Sequence, residues 1–162
     1  MERPSRKNIR LTDYDYSQEG GYFLTICTHE HRCILSRILP GTETEHATVD
    51  LTGFGKIVRD VLCELGNSHG FMLDTYTIMP DHIHMILFKT SPTQMTAGQL
   101  VGAIKSSAAT RWYKVCDERG ITAGKLWQRN YYDHILRNKA DYLEKRKYTE
   151  ENPDRWRPGD RC

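Results

Sequence analysis

Two histidines spaced two apart, His82 and His84, follow the turn dipeptide Pro80-Asp81 inside an otherwise apolar run, Met79 to Phe88. In an extended strand residues i and i+2 share a face, so the two imidazoles stand side by side while Ile83, Met85 and Leu87 point into a core. Two imidazoles on rigid backbone make half of a metal site. The same spacing also fits one functional histidine beside one satisfied by hydrogen bonds, or two structural ones. Near the C-terminus, Tyr148 and Asn152 are four apart and share a helix face. On spacing alone the tyrosine reads as a packing residue with a solvated hydroxyl. A second set of metal-ligand types, Cys27-x-His29-x-His31-x-Cys33, would line one strand face. Structural zinc sites usually draw their ligands from two turns or knuckles, which argues against this cluster.

The elements that must position these residues follow from periodicity and punctuation. Gly21 to Thr28 is aromatic and β-branched, hence a strand. His29 to Asp50 is polar, with Pro40-Gly41 inside it, and reads as a long loop or weak hairpin. Phe54, Ile57, Val58, Val61, Leu62 and Leu65 recur at helical spacing, with Gly66 and Gly70 marking the end. Phe71 to Ile78 is a second strand, turned by Pro80-Asp81 into a third from His82 to Phe88. A long helix follows from about Ala97 to Asp117, then a fourth strand from Tyr131 to Leu136. Asn138 caps a last helix, with Asp141 three positions on as a capping-box-like partner, and Pro153 should end it near Asn152. The order β-α-β-β-α-β is that of a ferredoxin-like α+β sandwich with one antiparallel sheet and an additional C-terminal helix carrying the tyrosine.

The chain's 162 residues, 38% hydrophobic, fit a single domain over residues 1–162 with an N-terminal arm over 1–20. The formal net charge is +2, but its distribution is uneven: residues 1–100 carry 9 Lys and Arg against 12 Asp and Glu, and residues 101–162 carry 14 against 9. A basic C-terminal third suits a polyanion-binding face, and a solvated helix surface gives similar counts. With no signal peptide and no apolar run of membrane length, the expectation is a cytoplasmic protein with reduced cysteines and no membrane partner. No phosphate-cradling G-x-x-x-x-G-K-[ST] and no dinucleotide-binding G-x-G-x-x-G occurs.

Met79-Pro80-Asp81-His82-Ile83-His84, Leu126-Trp127-Gln128-Arg129-Asn130-Tyr131-Tyr132-Asp133-His134 and Tyr148-x-x-x-Asn152-Pro153 together resemble the single-tyrosine HUH transposases of bacterial insertion sequences. Within them the chain is most similar to the REP-associated tyrosine transposases, a likeness that Arg6 to Arg10 and Tyr22 to Thr28 extend. The resemblance implies that His82 and His84 bind a divalent cation and that Tyr148 is the nucleophile. Asn152 sits where related transposases place a polar amide as third ligand. The implied ion is Mg²⁺ or Mn²⁺, whereas ligand softness alone points to Zn²⁺ or Mn²⁺. The implied reaction is cleavage and rejoining of single-stranded, hairpin-forming DNA through a 5′-phosphotyrosine, by a monomer or a homodimer.

Candidate DNA contacts cluster in the basic third: Lys125, Trp127, Arg129, Tyr131, Arg155, Trp156 and Arg157, joined by Arg6, Lys7 and Arg10 of the arm. Cations would hold phosphates and rings would stack unpaired bases. Trp127 and Tyr131 fit a core role equally well. His134 reads as a hydrogen-bonded strand histidine. Two other readings stay open: a non-catalytic nucleic-acid-binding module on the same fold, and a small zinc-dependent hydrolase using the Cys/His cluster.

Overall fold

The computed structural model describes residues 20–157. The elements are β1 (Gly20–Cys27), β2 (Ser36–Leu39), β3 (Thr48–Leu51), α1 (Gly53–Leu65), β4 (Phe71–Ile78), β5 (His82–Lys89), α2 (Ala97–Glu118), β6 (Tyr132–Leu136) and α3 (Lys139–Arg155), with a 3₁₀ turn over His29–His31. One antiparallel sheet runs in the order β4-β5-β1-β6. This is the ferredoxin-like arrangement. It is an α+β fold, as the periodicity implies.

Alternation decides the two faces of the sheet. Tyr22, Leu24 and Ile26 of β1 pair with Leu87, Met85 and Ile83 of β5, and all six are fully buried. Against them pack Phe54, Val58, Val61 and Leu62 of α1, and Leu100, Val101, Ile104 and Ala108 of α2. Each such side chain contributes on the order of 1.5–3 kcal/mol of burial. The opposite face carries Phe23, Thr25, His82, His84 and Phe88, and α3 lies over it against β4, β5 and β6.

Local signals fix the helix starts. Thr96 caps α2 in a reciprocal capping box with Gln99. Asn138 caps α3 through the backbone N–H of Asp141, at 2.9 Å. The Asp141 carboxylate does not return to the cap; it accepts from Arg137 N–H at 3.0 Å and from His134. That bond joins the end of β6 to the start of α3.

Of the long loop or weak hairpin expected from His29 to Asp50, the chain forms the hairpin, β2 and β3 pairing as a two-stranded antiparallel sheet. Elsewhere the structure departs from expectation. Pro153 lies inside α3, which continues to Arg155, because a proline in the last turn forfeits one backbone bond without blocking the final residues. Cys27, Cys63 and Cys116 form no disulfide, whereas Cys33 is disulfide-bonded, against the expectation of reduced cysteines. Among the described residues no helix is long and apolar enough to cross a membrane.

Candidate active site

The β4–β5 hairpin closes tightly, with Met79 N–H donating to the His82 carbonyl at 2.8 Å across Pro80-Asp81. It delivers His82 and His84 to the α3 face with ring centroids 4.5 Å apart. Each ring is held by its Nδ1. His82 Nδ1 donates to Asp81 Oδ1 at 2.6 Å, and His84 Nδ1 shares a hydrogen bond of 2.8 Å with Thr25 Oγ1. His82 Nδ1 must donate to the carboxylate, which leaves its Nε2 lone pair to a ligand, and the Nε2 of His84 is likewise an acceptor when its Nδ1 donates to Thr25. Burial, followed by the neighbouring His82, pushes His84 down to about 3 against a smaller opposing pull from Asp81. His84 is therefore a neutral imidazole at neutral pH.

Asp81 is itself buried, and its second oxygen accepts from His31 Nδ1 at 3.0 Å. Burial pushes the carboxyl up, but hydrogen bonds and charge from His82 and His31 outweigh it and hold Asp81 below the usual carboxylate range. His31 reaches Asp81 from a turn in which Glu30 and His31 both adopt left-handed backbone, φ 54° and 52°. Such a pair is uncommon for non-glycine residues and persists only where surrounding bonds enforce it. Thr28 supplies them, donating N–H and Oγ1–H to the Asp81 carbonyl at 2.9 and 3.0 Å.

Opposite the histidines stands α3. The Tyr148 ring lies 5.2 Å from the His84 ring, edge to face, within the same chain. Phe23 stacks on His84 at 5.3 Å and meets the Tyr148 edge at 6.1 Å. Tyr148 is partly exposed, so a ligand can approach its ring from solvent. One turn on, Asn152 is buried, and among the described residues its side chain makes no hydrogen bond. Imidazole nitrogens and a side-chain amide oxygen are donor types that could hold a divalent cation. Lys145 Nζ sits 5.9 Å over the Phe23 ring and the Arg155 guanidinium 5.7 Å over Tyr148, so positive charge flanks the tyrosine. Both cations also pair with α3 carboxylates, Glu144 and Glu151.

The other named residues divide. Trp156 joins the site, its ring 6.4 Å from that of His82. Lys125, Arg129 and Arg157 are exposed. Trp127 is a core residue: its indole meets Phe54 at 5.4 Å and donates Nε1–H to the Lys105 carbonyl at 3.1 Å. Tyr131 packs partly buried against the same core. The Trp127 ring is therefore not open for stacking, whereas Tyr131 keeps part of its surface exposed. Arg6, Lys7 and Arg10 lie outside the described residues. His134 is hydrogen-bonded to Asp141 at 2.8 Å. The Cys27-to-Cys33 alternation is broken by the 3₁₀ turn, and among the described residues no three His, Cys, Asp or Glu side chains converge as a metal cluster. The sequence assigns Thr25 and Phe23 no site role, marks Asp81 only as a turn and motif residue, and offers His31 only as a candidate zinc ligand.

One antiparallel sheet thus presents a histidine pair and a helix-borne tyrosine to each other on a single face. Residues 42–152 match the family model of IS200-like transposases, and the chain belongs to that family. An uncharacterized protein of Haemophilus influenzae is 28% identical over 172 residues, spanning 93% of this chain and 89% of its own length. The ISDra2 transposase TnpA of Deinococcus radiodurans is 28% identical over 76 residues, 46% of this chain and 53% of its own length. A REP-associated tyrosine transposase solved bound to a REP hairpin shares the fold, with TM-score 0.57 at 19% identity over 88% of this chain and 73% of that one.

Proposed function

We propose that this transposase is of the REP-associated, single-tyrosine type and that it cleaves and rejoins single-stranded, hairpin-forming DNA. The observation that supports this most directly is the 5.2 Å approach of the Tyr148 ring to His84 inside one chain. His82 and His84 through Nε2, and Asn152 through its side-chain oxygen, would hold Mg²⁺ or Mn²⁺, which when bound would neutralise charge building on the phosphate oxygens. Tyr148 Oη attacks phosphorus, the bond to the 3′-oxygen breaks, and that oxygen leaves as a 3′-OH after taking up the proton the phenol gives to solvent. The strand keeps its phosphate on tyrosine as a 5′-phosphotyrosine. Another 3′-OH then reverses the step with no nucleotide cofactor, consistent with the absence of a phosphate-binding glycine loop. Lys145 and Arg155, on either side of the ring, draw the backbone toward the nucleophile.

The test is incubation with labelled hairpin DNA and Mn²⁺, followed by denaturing electrophoresis. A cation-dependent covalent adduct is expected, lost in Tyr148→Phe while hairpin binding persists. Binding without any adduct in the wild type would leave a non-catalytic DNA-binding module instead.

A further inference from the structure

Beside the histidine pair, a cavity of about 660 Å³ opens between the β2–β3 loop and the end of α3. Its walls include Glu43, Glu45 and His46 from the loop, and Asp154 and Trp156 from the helix end. The loop is built against the helix. Asp154 Oδ1 accepts from Ala47 N–H at 2.6 Å, and Asp154 Oδ2 accepts from His46 Nδ1 at 2.8 Å. Gly41 lets the loop fold on itself, since a Cβ there would fall 2.0 Å from the Glu45 carbonyl oxygen. Trp156 belongs to both sites, lining the cavity and lying 6.4 Å from the His82 ring.

We infer that this cavity receives one unpaired base of the DNA strand next to the cleaved phosphate, and that it favours a base bearing an amino group. The inference rests on the function proposed above. The volume accommodates a single nucleotide. An indole offers the flat face on which an unpaired base stacks. Carboxylates accept from exocyclic amino groups, as from cytosine N4, whereas thymine presents a carbonyl at that position. The same carboxylates repel phosphate. They leave the backbone outside, toward Lys145 and Arg155, while the base enters. A pocket whose aromatic wall lies 6.4 Å from the His82 ring thus couples the identity of one base to the placing of the adjacent phosphate.

The test measures fluorescence anisotropy with Tyr148→Phe protein, so that no cleavage occurs, on short labelled single strands of deoxycytidine, thymidine and abasic residues. Comparing two pyrimidines keeps the ring size constant, and a deoxyuridine strand beside thymidine separates the effect of the thymine methyl from that of the amino group. Cytidine is expected to bind about tenfold more tightly than thymidine, and thymidine more tightly than the abasic strand. Glu43→Ala/Glu45→Ala, on an exposed loop, should close the cytidine–thymidine gap even if both affinities rise. Trp156→Ala should close the gap to the abasic strand, and Trp156→Phe should restore it. Equal binding of cytidine and thymidine by the wild type overturns the base pocket and leaves the transposase reading standing. No binding of any strand, including a hairpin, overturns both.

Discussion

Replacing Asp81 by Asn keeps the shape of the buried side chain and removes its charge. In the wild type one carboxylate oxygen takes His82 Nδ1–H at 2.6 Å and the other takes His31 Nδ1–H at 3.0 Å. An amide has one acceptor and one donor end. Whichever imidazole meets the NH₂ group must turn its Nδ1 into an acceptor and move its proton to Nε2. If that ring is His82, the lone pair proposed to hold the cation is lost; if it is His31, the clasp on the loop is weakened. Exchanging two charge-assisted bonds of about 1.5–3 kcal/mol for neutral ones of ~1 kcal/mol costs about 1–4 kcal/mol of stability. Losing an orienting partner behind a metal-binding histidine typically costs 10–100-fold in metal affinity. The assay is calorimetric titration of Mn²⁺ into wild-type and Asp81→Asn protein, beside urea unfolding of each. His31→Ala should show a smaller affinity loss in the same direction, because His82 keeps its own bond. Wild-type Mn²⁺ affinity in a folded Asp81→Asn protein would refute the idea that Asp81 orients the site.

Lys105 offers a pH test remote from the histidines. Its ammonium donates to the carbonyls of Gln128, Arg129 and Asn130, at 2.9, 3.4 and 3.0 Å, and burial pushes it down to about 8. The unfolded chain keeps that proton to about pH 10.4. This group therefore makes stability rise between about pH 8 and that value, and Lys105→Met should flatten the rise in urea unfolding. Trp127→Ala should cost about 3–5 kcal/mol in the same experiment, as a core truncation does; unchanged stability would restore Trp127 as a DNA contact. Gly55→Ala would set a Cβ 1.9 Å from the Leu35 carbonyl oxygen, so thermal unfolding should reveal a loss of about 1–3 kcal/mol or more as α1 shifts off the β2–β3 hairpin.

What could be read from the sequence was local. The His82–His84 pair, its tight turn and its face all follow from a period of two behind Pro80-Asp81, and Asn138 announced α3 by its type alone. What could not be read depends on partners distant in the chain. Thr25 holds His84 because β1 and β5 pair in the register that sets those two residues opposite each other. His31 reaches Asp81 only through a left-handed turn that no single residue there encodes. Trp127 is core because it bridges to Thr28 beside β1, although its basic neighbours suggest a surface.

The helix that carries Tyr148 shows the boundary most clearly. Of its 17 residues only Thr149 and Asn152 are buried, so no apolar stripe says which surface it covers. Its position is set instead by polar bonds along its length: Asp141 to His134, Tyr142 to Asp74 across 68 residues of sequence, and Asp154 to His46. Ring contacts complete it, with Tyr142 against Phe88 and Tyr148 against Phe23 and His84. Most of these partners sit on the sheet face or on the β2–β3 loop, elements built independently of α3. A helix docked by specific pairings has its azimuth fixed by where the partners stand, to within hydrogen-bonding distance, and here that azimuth turns Tyr148 toward the histidines.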